Sequence, residues 1–107
     1  MQKGTIKVSV LYPAGEGKTF DMQYYQNTHV PLVAELLGAA LIATGIDAGL
    51  GGMAPGSPAP FMAIGHLYFN SVEEFGQSFG PQAAKIIADL PNFTNAEPVV
   101  QINEVIS

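Results

Sequence analysis

The chain has 107 residues, enough for one core and not for two, so a single domain spanning 1–107 is expected. With 48% apolar and only 12% charged residues, a monomer this small has little polar cover, which points to surface hidden against a partner. A net charge of −5, no Arg and four scattered Lys exclude a nucleic-acid footprint and a bidentate clamp for highly anionic substrates, and the lack of Cys excludes disulfides, thiolate metal sites and cysteine nucleophiles.

Thr5 to Tyr12 alternates, with Ile6, Val8, Val10 and Tyr12 on one face and Lys7, Ser9 and Leu11 on the other, the pattern of a strand. Pro13 to Gly17 is a turn-rich loop. Asp21 is a good N-cap, and Phe20 before it with Tyr25 further on suits a hydrophobic staple. The spacing predicts a helix over Met22 to Leu37, closed by Gly38, with an apolar stripe of Met22, Tyr25, His29, Leu32, Val33, Leu36 and Leu37. Pro31 removes a backbone donor and pushes Val30 away from helical geometry, so a kink near His29 and Val30, or two helical pieces, is expected.

Leu41 to Leu50 reads as a second strand and Gly51 to Pro60 as a long Gly- and Pro-rich loop, of the kind that often carries function. Phe61 to Phe69 is a third strand. Phe61, Ala63, Gly65, Leu67 and Phe69 form one face, and Met62, Ile64, His66 and Tyr68 the other. Ser71-Val72-Glu73-Glu74 is a capping box opening a second helix, with Phe75 and Phe79 inward. Gly80-Pro81 interrupts it, Gln82 to Leu90 continues it, and Pro91-Asn92 ends it. Glu97 to Ile106 is the last strand. The longest apolar tract, Val30 to Ile46, carries Pro31, Glu35, Gly38 and Gly45 and falls short of a membrane span, so a soluble, cytoplasmic protein is expected.

The order strand, helix, strand, strand, helix, strand is that of a ferredoxin-like βαββαβ domain: a four-stranded antiparallel sheet with two helices on one face. Two helices cover only one face, yet the third strand, and largely the fourth, are apolar on both. A second copy of the chain is the economical cover, and a homodimer is expected.

Two histidines are candidates for chemistry. His29 shares a helix face with Tyr25 beside the Pro31 break, and an imidazole in an apolar setting can act as general acid or base. The alternative is a histidine that caps backbone near the kink. His66 sits mid-strand on an apolar face, where a buried ring must find a partner, either as a site residue or as a satisfied core or interface histidine. Tyr12, Tyr24, Tyr25 and Tyr68 could donate to a ligand oxygen or serve as amphipathic core. Phe75, Phe79 and Phe93 with Met22 and Met62 could line an aromatic-friendly pocket or simply fill the interior. Gly49 to Ala54 fits a dinucleotide pattern, but Pro55-Gly56-Ser57-Pro58 follows where a helix must begin. Two distant histidines without carboxylates at ligand spacing make no metal set, and neither metal nor organic cofactor is expected.

The runs Lys7 to Pro13, Phe20 to Tyr25, Thr28 to Leu32, Ala59 to Phe69, Ser71 to Phe75, Pro91 to Thr94 and Glu97 to Ile102 together resemble the EthD family over nearly the whole chain. The resemblance implies a dimeric α+β barrel, two ferredoxin-like subunits packed sheet to sheet with helices outside. The family takes its name from a component linked to ethyl tert-butyl ether degradation. Similar barrels include cofactor-free monooxygenases, polyketide cyclases, lactone isomerases and decarboxylases. By that likeness His29 is the acid/base residue and the cleft between sheet and helices is the site; Tyr25 or His66 is expected to orient. Tyr12, Met22, Tyr68, Phe75, Phe79 and Phe93 are the expected binding residues. The expected function is cofactor-independent proton transfer, cyclase-, isomerase- or monooxygenase-like, on a hydrophobic oxygenated substrate. The alternative is a hydrophobic-ligand-binding or accessory protein of an oxygenase system.

Overall fold

The computed structural model describes residues 1–107. Four strands, β1 (Ile6–Pro13), β2 (Ala43–Ala48), β3 (Phe61–Phe69) and β4 (Val99–Glu104), form one antiparallel sheet in the order β2-β3-β1-β4. The helical residues are α1 (Met22–Tyr24), a π-turn (Tyr25–His29) and α2 (Val30–Leu37) in the first crossover, then α3 (Val72–Phe79) and α4 (Ala83–Ala88) in the second. This is the expected ferredoxin-like α+β arrangement.

The first helix begins as its sequence dictates. Asp21 is extended, and its carboxylate accepts the Tyr24 N–H at 3.1 Å. The Phe20 and Tyr25 rings meet at 5.1 Å, the staple that fixes the entry of the chain. The break at Pro31 takes a different form from the one expected. Val30 stays helical at φ −63°, ψ −42°, and its N–H reaches back to the Tyr25 carbonyl. The preceding turn has widened instead, and Pro31 falls in the first turn of α2, where no intrahelical N–H is needed. The second helix is split by a 3₁₀ turn over Gly80–Gln82, and its capping box is present, with Ser71 Oγ accepting the Glu74 N–H at 3.1 Å.

Two strands are shorter than their apolar patterns. β2 covers Ala43–Ala48 rather than Leu41 to Leu50, because Gly38–Ala40 closes the helix with a 3₁₀ turn that consumes the approach. β4 covers Val99–Glu104 rather than Glu97 to Ile106. Pro98 has no N–H to give to the ladder at one end, and at the other the regular register with β1 stops at Ile6–Glu104, beyond which Val105 exchanges only loop bonds with Gly4 and Thr5.

Register divides the sheet into two faces. Val8, Tyr12, Ala63 and Phe69, each no more than 2% exposed, lie under the helices. Val8, Phe69, Val33, Leu37 and Ile86 make one core cluster, and Tyr12, Tyr25, Ala63 and Phe93 a second. The opposite face carries Leu11, Met62, Ile64, His66 and Tyr68, all only part-buried, with no layer of this chain above it.

Candidate functional site

His29 ends the π-turn and is buried. The wider turn sets residues four apart almost one above the other. The Tyr25 and His29 rings accordingly stack, 18° from parallel with centroids 5.6 Å apart, while Phe93 closes on the imidazole at 4.5 Å. His29 Nδ1 lies 2.8 Å from Asp89 Oδ2.

Asp89 follows α4, at the start of the 3₁₀ turn Leu90–Asn92. Its Oδ1 accepts from the Tyr24 hydroxyl at 2.7 Å and from Asn92 Nδ2 at 2.9 Å. Burial raises the carboxyl's pKa, but the hydrogen bonds from Asn92, Tyr24 and His29 outweigh it and hold Asp89 below the usual carboxylate range. The same hydrogen bond to Asp89 raises Tyr24 above the usual phenol value. An ionised Asp89 only accepts, so the hydrogen between the pair sits on His29 Nδ1, and a neutral His29 carries its lone pair on Nε2. No protein group bonds Nε2. It is not among the sealed polar atoms without a partner, which are His66 Nδ1 and Gln82 Oε1, and so it keeps contact with solvent. A carboxylate-oriented imidazole with one unpartnered nitrogen can take up and release a proton there.

Beneath the dyad lies a pair of buried phenols. The Tyr12 and Tyr25 hydroxyls face one another. Burial is the main cause that pushes both above the ordinary phenol value; for Tyr12 its neighbour Tyr25 adds to this, and for Tyr25 the hydrogen bond from Tyr12 opposes it. The Tyr25 hydroxyl rests directly on Gly65 of β3, where even a Cβ would collide with it. Gly65→Ala should therefore force Tyr25 off the sheet and carry the stacked His29 with it. A loss of about 1–3 kcal/mol is expected, read as a lowered denaturation midpoint. An unchanged midpoint would show that the tyrosine yields without cost.

The residues expected to form one site are divided by the sheet. His29, Tyr25, Tyr12 and Phe93 come together on the helix side. Phe75 and Phe79, their rings 5.3 Å apart, line an apolar groove of about 300 Å³ between sheet and helices, with Tyr12 and Leu90 at its border with the aromatic cluster. Met22 instead borders an open depression of about 600 Å³ with Asp21, Asn92, Phe93 and Thr94, and Asn92 links that depression to Asp89. His66 and Tyr68 point to the other face, so neither reaches His29 within a subunit. His66 Nε2 is engaged by Asp47 Oδ2 at 2.6 Å. Each histidine thus has one carboxylate, and no third ligating side chain joins either pair.

Sequence reasoning missed Asp89 and Asn92. The only available signal was a pair of polar side chains three apart, astride Leu90-Pro91 at the end of a helix. That pattern reads equally well as a helix stop.

A sheet of this order with its helices on one face defines a ferredoxin-like α+β protein. The EthD domain model matches residues 14–97, and the chain belongs to the EthD family. It is 34% identical over 92 residues, 83% of this chain and 84% of the other, to an uncharacterized 11.0 kDa protein from the thcB-thcC intergenic region of Rhodococcus erythropolis. It is similar to the crystal structure of an EthD-like protein from Ralstonia eutropha JMP134, with TM-score 0.93 and 39% identity over 99% of this chain and 96% of that one. A dimeric ferredoxin-like protein of unknown function from Thermobifida fusca YX shares the fold at TM-score 0.58 and 16% identity, over 98% of this chain and 94% of that one.

Proposed function

We propose that this EthD-family chain is a cofactor-independent enzyme that moves a proton within a hydrophobic, oxygenated small molecule, with His29 Nε2 as acid and base. The observation that carries the reading is the His29–Asp89 pair, one imidazole nitrogen held at 2.8 Å by an ionised carboxylate and the other left without a protein partner. In the reaction, Nε2 takes a proton from an acidified C–H or O–H of the substrate. The resulting imidazolium is stabilised by Asp89. Returning the proton to a different atom completes an isomerisation or cyclisation with no change of oxidation state. The substrate class follows from the apolar groove beside Tyr12 and from the absence of Arg.

The probe is solvent deuterium exchange into hydrophobic ketones and β-diketones, followed by NMR. Wild-type protein should accelerate α-proton exchange. A folded protein that leaves every such compound at the solvent rate, with a ligand bound in the groove, would favour a second reading, a binding or accessory protein. That reading has its own support, since no lining residue of the groove is His29 or Asp89.

The assembly proposed is a homodimer in which the uncovered sheet faces pack together. Leu11, Ile64, Met62 and Tyr68 supply the apolar area, and the Thermobifida fusca protein of the same fold is described as dimeric. Sedimentation at micromolar concentration should give twice the 11.3 kDa chain mass, and a stable monomer there would overturn the assembly.

A further inference from the structure

The loop between β2 and β3 contains no charged residue from Gly49 to Pro60. It is nonetheless ordered by its own bonds. Gly52 N–H donates to the Ser57 carbonyl at 3.0 Å, Ser57 N–H to the Ala54 carbonyl at 3.0 Å, and Ser57 Oγ to that same carbonyl at 2.6 Å. A Cβ at Gly52 would press on Ser57 Oγ and the Pro58 carbonyl. This tightly wound turn sends two large apolar side chains outward: Leu50 is 97% and Met53 105% exposed. A preformed projection with apolar tips loses little entropy on docking and gains the burial of both.

The other concentration of exposed apolar residues is the edge strand β4, where Val99 on the uncovered face is 53% exposed, and Val100 and Ile102, which share the helix-side face with Val10 and Val8, are 55% and 47% exposed at the open edge. β4 lies at the opposite edge of the sheet from β2, from which the loop springs. A two-fold pairing of sheets that sets β2 of one copy over β4 of the other brings each tip to an apolar edge, twice per dimer. Charge favours a second copy as the occupant. Each chain carries −5, yet of its nine acidic residues only Asp47 lies on the uncovered face, where His66 engages it and Lys7 offsets it. The remaining acids sit on helices, on loops or on the helix side of β4, so copies meeting through this face and this loop avoid their own repulsion.

We infer that the Gly49–Pro60 loop is a clasp whose Leu50 and Met53 pack on strand β4 of a second copy. The inference rests on the homodimer proposed above. Its test is the double substitution Leu50→Ser with Met53→Ser, made where no buried contact is lost. Sedimentation over a concentration series should show dimer dissociation at least about tenfold easier than in wild type, with an unchanged circular dichroism spectrum. A variant that associates as tightly as a dimeric wild type overturns the clasp alone. A wild type that is itself monomeric overturns dimer and clasp together. Because the chain has no cysteine, Met53→Cys and Val99→Cys proteins can be mixed, equilibrated and oxidised. A covalent heterodimer is expected, and its absence removes β4 as the seat.

Discussion

His29→Gln should lower the rate of α-proton exchange by roughly 10²–10⁴-fold, the usual worth of a positioned general acid/base. Glutamine keeps a polar group of similar length, and its amide can still donate to Asp89 Oδ2, so the packing of Tyr25 and Phe93 around the site has the least reason to change. What it cannot do is accept and release a proton near neutral pH. The measurement is the NMR exchange rate of wild type and variant at equal concentration, with near-UV circular dichroism as the check on the aromatic cluster. A folded variant that exchanges as fast as wild type would remove His29 from the mechanism.

Asp89→Asn tests the other half of the dyad and has two readouts. The side-chain amide can present its NH₂ group to His29 Nδ1, which favours the tautomer with the hydrogen on Nε2 and takes away the lone pair that the proposed proton transfer needs. A rate loss on the order of 10²–10⁴-fold is expected, as in hydrolytic triads whose carboxylate is so replaced. The second readout is stability. Asp89's pKa is lower in the folded chain than in the unfolded one, so its ionised form contributes stability above the unfolded value, near pH ~4. That contribution is lost as pH falls through the folded value. At pH 7 the variant should be less stable by about 1–2 kcal/mol, the lower end for bonds to a charged group because solvent reaches the network. The gap should close on acidification below pH ~4. Urea titrations at pH 7 and pH 3 measure it. A gap of equal size at both would mean that the network owes its strength to shape and not to the carboxylate's charge.

Element order, the Asp21 cap, the Phe20–Tyr25 staple and the Ser71 cap were legible because each depends on residues close together in the chain. The His29 candidacy was legible for the same reason, since Pro31 announces a break two residues on. Asp89 was not. It meets His29 across 60 positions, and their contact depends on how the end of α4 docks against the π-turn, which no local pattern encodes. The separation of His66 and Tyr68 from His29 lay between these extremes. Alternation assigned them to the face opposite Ala63 and Phe69. Both faces of β3 are apolar, so parity alone could not tell which one the helices would cover.

The π-turn holds one residue more than an α-helical turn would, and that surplus sets the phase of everything before it. Each residue in an α-helix advances the direction of its side chain by about 100°. Without the extra residue the segment Met22–Tyr24 would be swung by that angle relative to α2. Adjacent tyrosines then could not divide their labour as they do, Tyr24 reaching out to Asp89 and Tyr25 reaching down to Gly65. The helix accepts an imperfect turn, and in exchange two neighbouring phenols brace the His29–Asp89 pair from different directions.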